Sequence, residues 1–337
     1  YQEINSQPKA WAQALEVAQL QETEISRLWK KHSNMRVLFT GCGSTYYLSL
    51  AAASLFQELT GRGARAVPGG ELILYPDTAY EADTSTLLVA ISRSGTTTET
   101  VAAIQKFKQA QRGTVLVITD YEKTPLAQLG DISMVIPAGQ EQSVAQTRSF
   151  ASMYVAATAL AAISAGRDEL LSDMEKLPSI GANLIQKYDG LARKFGEDLD
   201  LDRFYFLGSG PRYGLACETN LKMKEMTLTH SEPFHFFEFR HGPMSMVADT
   251  AAIIGMRSSV NASHEQTVLD EMGNLGGRVL SLAETDADVS FSSQLPEEVR
   301  NVLYLPVLQL MAYYRAMAKG LNPDQPRNLN AVVKLAL

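Results

Sequence analysis

The stretch Ser92-Arg93-Ser94-Gly95-Thr96-Thr97 crowds four hydroxyls, a guanidinium and a glycine into six residues. Hydroxyls donate to phosphate oxygens, a guanidinium adds charge-assisted bonds, and glycine lets backbone N–H groups approach an anion closely. One hydroxyl is enough to cap a helix, so a cluster this dense points to a phosphate cradle rather than a cap alone. An apolar run at 87–91 precedes it and a helical pattern at 97–111 follows. A strand end that opens into a helix N-terminus offers unpaired N–H groups to an anion.

A second constellation lies at 218–225, where Glu218, Lys222 and Glu225 stand four and three residues apart on one helical face. The row is either a solvated line of ion pairs or a source of a general base. The second reading follows if the helix start after Gly208-Ser209-Gly210 sets the row at the ligand edge of a sheet. Downstream, Phe236-Phe237-Glu238-Phe239-Arg240-His241-Gly242-Pro243 gathers aromatic, charged and turn residues in one loop, and Gly-Pro fixes the backbone that presents His241. His230, His235 and His241 lack the spacing of a helical metal pair, and no carboxylate-rich cluster joins them, so no metal is expected. No cofactor is expected either. The chain has no Gly-x4-Gly-Lys-Ser/Thr string, Gly41-Cys42-Gly43 lacks the third glycine of a dinucleotide fingerprint, and the glycine at 214 comes one place late after Gly208 and Gly210.

Strands alternating with helices must position these turns. Apolar runs at 37–40, 87–91 and 114–118 alternate with Gly-rich turns and helical stretches, and the same order recurs at 204–207, 251–254 and 279–282. A shift of 164 residues sets Arg93 on Arg257 and Val115 to Ile118 on Val279 to Leu282, while the Gly-rich turns need a shift of 167. The expected fold is α/β, with two tandem doubly wound, flavodoxin-like parallel-sheet domains. Its predicted boundaries are an amphipathic N-terminal helix (1–30), a first domain (31–166), a charged helical linker (167–200) and a second domain (201–337). Met256-Arg257-Ser258-Ser259-Val260 has lost the Ser-x-Ser-Gly pattern, so the first domain is expected to keep the phosphate site alone.

The formal charge of −7, with scattered Lys and Arg, lacks the electrostatic footprint of nucleic-acid binding. No apolar run reaches the roughly 18 residues of a membrane span, and no charged-then-apolar leader opens the sequence at Tyr1. Cys42 and Cys217, far apart in segments predicted to be buried, fit free thiols in a reducing compartment, so a cytoplasmic location is expected.

The turn 92–97, the helix 218–225, the loop Glu238-Phe239-Arg240-His241-Gly242-Pro243 and the tail Asp324-Gln325-Pro326-Arg327-Asn328-Leu329 occur in an order that resembles a known family. They look like the tandem SIS (sugar isomerase) domains of glucosamine-6-phosphate synthase and of stand-alone enzymes that isomerise or deaminate hexosamine phosphates. The resemblance spans nearly the whole chain. It implies that Ser92, Arg93, Ser94 and Thr97 surround a phosphate, with Ser44, Thr45, Val144 and Gln146 in the sugar pocket. It implies Glu225 as the base between C1 and C2, His241 as the ring-opening residue, and Glu218 and Lys222 beside the base. It further implies a homodimer in which the His241 loop reaches the neighbouring subunit's site. Two departures limit the likeness. Ala331 stands where the synthase has an imine-forming lysine, with Lys334 out of register, and no glutaminase domain with an N-terminal cysteine precedes. The expectation is therefore an isomerising deaminase that converts glucosamine 6-phosphate to fructose 6-phosphate and ammonia, or a plain hexose 6-phosphate isomerase, rather than glutamine-fed amination. A non-catalytic sugar-phosphate-sensing regulator is the alternative from another class.

Overall fold

A computed structural model describes residues 1–31, 35–81 and 84–330. Its first sheet consists of β1 (Arg36–Gly41), β2 (Ala64–Pro68), β3 (Thr86–Ile91), β4 (Gly113–Thr119) and β5 (Ile132–Val135). They lie in the order β2-β1-β3-β4-β5, every pair parallel. β3 is buried along its whole length, as a strand covered on both faces must be. The second sheet holds β6 (Arg203–Leu207), β7 (His230–Phe234), β8 (Ala251–Met256), β9 (Arg278–Ala283) and β10 (Val289–Ser290), in the order β10-β9-β8-β6-β7 and again all parallel. Read from β7, the second sheet repeats the succession of the first. Both follow the 2-1-3-4-5 order of doubly wound folds, whose strand order reverses between the first and third strands.

The expected α/β architecture with two doubly wound sheets is therefore present, and in each half two further strands join the three expected. β2, β5, β7 and β10 are the edges of the two sheets. Edge strands pair on one side only, so they need neither length nor an unbroken apolar run. β2 and β7 each carry a proline, and β10 has two residues.

Pairing also corrects the alignment of the halves. Arg36 pairs with Thr86 and Arg203 with Ala251, so β3 maps onto β8 by a shift of 165, not 164. Arg93 then falls on Ser258, and Arg257 answers to Ser92. The shift of 164 holds one strand later, where Ile91 pairs with Ile118 and Met256 with Leu282.

Each sheet belongs to its own compact unit. The first comprises Ser6–Glu141, Gln146–Pro178 and Asn330; the second comprises Tyr1–Asn5, Gln142–Ala145 and Ser179–Leu329. In the first unit the helix Arg148–Ala165 is buried almost throughout, and its small side chains let the helices Gln7–Leu20 and Ser44–Thr60 pack against it. The single amphipathic helix expected at the front is three, a short Gln2–Asn5 followed by Gln7–Leu20 and Glu22–Lys31. The second break falls at Gln21, whose N–H turns back to the Ala18 carbonyl, and Glu22 and Glu24 favour a new helix start. In the second unit the helix Pro211–Thr227 packs on β6, β7 and the helix Leu305–Ala318.

Candidate functional site

At the switch point of the first sheet the chain leaves β1 and β3 through two turns. Gly41 lets the helix Ser44–Thr60 begin directly against the strand, since a Cβ there would stand 2.6 Å from the Thr45 carbonyl carbon. Gly95 has φ +63°, and a Cβ on it would lie 2.1 Å from Thr124 Oγ1. Around Gly95 the hydroxyls organise the turn. Ser92 Oγ lies 3.0 Å from Thr97 Oγ1 and accepts the Gly95 N–H at 3.2 Å. Ser94 Oγ accepts from the Thr96 N–H and hydroxyl at 3.2 and 3.1 Å. Thr97 occupies the N-cap of the helix Thr98–Gln109 and makes no side-chain cap bond. The hydroxyl at the N-cap therefore does not cap its helix, and a helix N-terminus is a place where an anion is favoured.

A cavity of about 160 Å³ opens on this turn. It brings together the predicted Thr45, Ser92, Arg93, Ser94, Thr97 and Gln146, and adds Cys42, Glu99 and Asn330. Ser44 is buried in the first turn of its helix, beside the lining residue Thr45. Val144 gives its N–H to the Asp324 carbonyl at 2.9 Å. Glu99 escaped the sequence reading because an acidic residue in the first turn of a helix is what the helix dipole alone favours. A larger cavity, about 360 Å³, lies by Arg36, Val37 and Thr86 at the opposite, amino ends of the strands, where Arg36 is paired with Glu81 at 2.9 Å. It has no comparable hydroxyl cluster, so the smaller cavity is the better ligand site.

Arg93 is buried, and its Nη1 lies 3.9 Å from Glu141 Oε1. Glu141 in turn holds the start of the helix Arg148–Ala165, accepting from the Thr147 N–H at 3.0 Å, the Thr147 hydroxyl at 2.9 Å, the Arg148 N–H at 3.0 Å and the Ser149 hydroxyl. Beside them Asp120 is wholly buried, with both carboxylate oxygens lacking a hydrogen-bond partner among the described residues. Burial, reinforced by the charge of Glu141, pushes its pKa well above the usual carboxylate range against the pull of Arg93 and Arg148. The Arg93 charge is thus shared with Glu141, and hydroxyls and N–H groups make up the rest of the turn.

In the second unit Lys222 Nζ lies 2.5 Å from Glu225 Oε2 and 3.4 Å from Glu218 Oε1. The side chains of Lys222 and Glu218 are 1% and 0% exposed, which rules out a solvated surface row. Contrary to the expectation from sequence, the row does not end at the ligand edge of its sheet. Glu225 stands fourteen residues after Pro211 in a helix that ends at Thr227, about 20 Å along the axis at 1.5 Å per residue. It sits at the helix end away from Gly210 and the carboxyl end of β6. His241 is exposed, just past the short helix Phe236–Phe239, with its N–H on the Glu238 carbonyl at 3.0 Å.

The turn after β8, which answers to the turn Ser92 to Thr97, is filled from within. The Ser258 N–H donates to Glu265 at 2.5 Å, the Ser259 N–H to Glu297 at 2.6 Å, and the Asn261 N–H to Ser258 Oγ at 2.9 Å. Arg212 pairs with Glu297 and Glu265, and Arg300 with Glu297 at 3.4 Å. Two carboxylates thus take the N–H groups that an external anion would need. Among the described residues no group of three or more His, Cys, Asp and Glu could hold a metal ion, and no helix is long and apolar enough to cross a membrane.

Residues 31–163 match the SIS domain. Over 337 residues the chain is 30% identical to a glutamine-fructose-6-phosphate aminotransferase (isomerizing) of Sulfurisphaera tokodaii, a match covering 98% of this chain and 55% of that protein. The chain spans about half the length of the curated relatives it matches. The crystal structure of a glucosamine-6-phosphate deaminase from Thermotoga maritima matches with a TM-score of 0.80 at 27% identity, over 96% of this chain and 100% of that one. A tagatose-6-phosphate ketose/aldose isomerase from Escherichia coli, at 23% identity, shares the fold with a TM-score of 0.86 over 96% and 94% of the two chains.

Proposed function

We propose that this chain, which carries a SIS domain, is a phosphosugar aldose–ketose isomerase whose phosphate cradle is the turn Ser92 to Thr97. The observation that carries the reading is the turn itself: a hydroxyl cluster that does not cap its helix lines a cavity at the carboxyl end of β3, the switch point of the sheet. The finer reading is an isomerising deaminase acting on glucosamine 6-phosphate. The end-to-end match to the deaminase of Thermotoga maritima supports it.

In that reaction His241 serves the ring oxygen and opens the sugar to the free aldehyde. Glu225 takes the proton from C2 and returns it to C1, converting the aldose through an enolamine into the C2 imine of the ketose. Water adds to C2 and ammonia leaves, giving fructose 6-phosphate. No electrons are gained or lost, so the sequence of steps needs no redox cofactor. Lys222 fixes the Glu225 carboxylate by the 2.5 Å ion pair, and Thr45 and Gln146 line the cavity beside the phosphate turn. A homodimer sharing the His241 loop belongs to the same proposal, and the exposure of His241 supports it. Ala331, at the position of the synthase lysine, lies outside the described residues.

Purified protein supplied with glucosamine 6-phosphate should release ammonia and fructose 6-phosphate in equal amounts. Interconversion of nitrogen-free hexose 6-phosphates without ammonia release would replace the deaminase by the plain isomerase, and ammonia transfer from glutamine would replace both.

A further inference from the structure

The cavity over the phosphate turn contains one group that a phosphate cradle does not need. Glu99, the second residue of the helix Thr98–Gln109, lines it, and its Oε2 is buried without a hydrogen-bond partner among the described residues. No ion pair among the described residues neutralises it. A carboxylate beside a bound phosphate repels it, and a buried acceptor left unpaired loses its hydration without return. A ligand that itself supplies a donor removes the second penalty and offsets the first. The neighbours of Glu99 do not: the Cys42 thiol lies 3.5 Å from Thr100 Oγ1, and its own pKa is raised, first by burial and also by the Glu99 charge.

We propose that Glu99 selects the carbon skeleton of the ligand, its buried oxygen accepting a hydrogen bond from a hydroxyl group that a sugar phosphate carries next to its phosphate. The proposal rests on the phosphate-cradle reading and deepens it. The hydroxyls and N–H groups of the turn hold any phosphate, whereas Glu99 penalises a bare phosphate and rewards an ester that brings a donor. Inorganic phosphate and a sugar phosphate therefore respond to this residue in opposite directions.

Titration calorimetry of the whole chain and its Glu99→Gln and Glu99→Asp variants, with inorganic phosphate, glucose 6-phosphate and glucosamine 6-phosphate, tests this. In Glu99→Gln the sugar phosphates should bind about tenfold or more weakly, as expected for loss of a bond to a charged acceptor, while inorganic phosphate binds no worse or more tightly. Glu99→Asp should recover part of the sugar-phosphate affinity. Glucose 6-phosphate and glucosamine 6-phosphate carry the same hydroxyls next to the phosphate, so both should weaken alike. Unchanged sugar-phosphate affinity in Glu99→Gln, or parallel loss for all three ligands, overturns the assignment of Glu99 while leaving the cradle intact. Absence of binding by wild type overturns the cradle and this proposal together.

Discussion

Asp120 and Lys222 are both buried ionisable groups, and the protein treats them oppositely. Lys222 lies between two carboxylates, whereas Asp120 has two oxygens without partners. Such a carboxyl group is tolerated by staying protonated. Folding raises its pKa, so its contribution is fully favourable below the usual carboxylate range and is lost as pH climbs from there to the raised folded value. Asp120→Asn keeps the shape and removes the ionisation. Its thermal unfolding temperature should gain on that of wild type as pH rises from about 4 to about 8, above the ordinary aspartate pKa of about 3.9; parallel curves would show that Asp120 is not held neutral. At this scale the sequence pointed to the turn Ser92 to Thr97 but not to its neighbours in the cavity. Nothing in the local pattern of Glu99, Asp120 or Glu141 signals a cavity wall or a buried cluster, because those properties arise only when β3, β4 and the helix Arg148–Ala165 are brought together.

Among the elements, central strands were legible and edge strands were not. β1, β3 and β4 are apolar runs because both faces are covered, while β2 and β7, edges with a proline each, carry too weak a pattern to read. Register was equally hidden: a one-residue slip between β3 and β8 leaves the apolar pattern readable and only strand pairing exposes it. The helix carrying Glu225 was found, but its position was misjudged, since a helix that starts at the ligand edge has left it three or four turns later. The phosphate turn depends on Gly95, whose φ of +63° and 2.1 Å approach to Thr124 leave no room for a side chain. Gly95→Ala should destabilise the protein by about 1–2 kcal/mol for the left-handed backbone alone and more for the displaced Thr124. It should also abolish the rise in unfolding temperature that phosphate gives wild type. Retained phosphate protection in Gly95→Ala would separate the cradle from this turn.

For the chain as a whole, two sheets of one topology do not imply two equivalent sites. The second turn keeps its N–H groups bound to Glu265 and Glu297, so the chain is expected to bind one phosphate ester per protomer, and titration calorimetry should return a stoichiometry near one. A value near two would mean that the internal carboxylates yield to ligand. Sequence alone indicated the loss of the second hydroxyl cluster; the carboxylates that replaced its ligand come from Glu265 and from Glu297, more than thirty residues further along, a distance that no local pattern bridges. The central claim is that this chain moves a proton between C1 and C2 of a sugar phosphate, and it is tested most directly by proton NMR in deuterium oxide. Wild type should wash deuterium into C1 or C2 of glucosamine 6-phosphate or a hexose 6-phosphate, and Glu225→Gln should bind the same ligand yet exchange it at least about a hundredfold more slowly. Wild type that exchanges none of these sugars, or a Glu225→Gln variant as fast as wild type, would contradict the account.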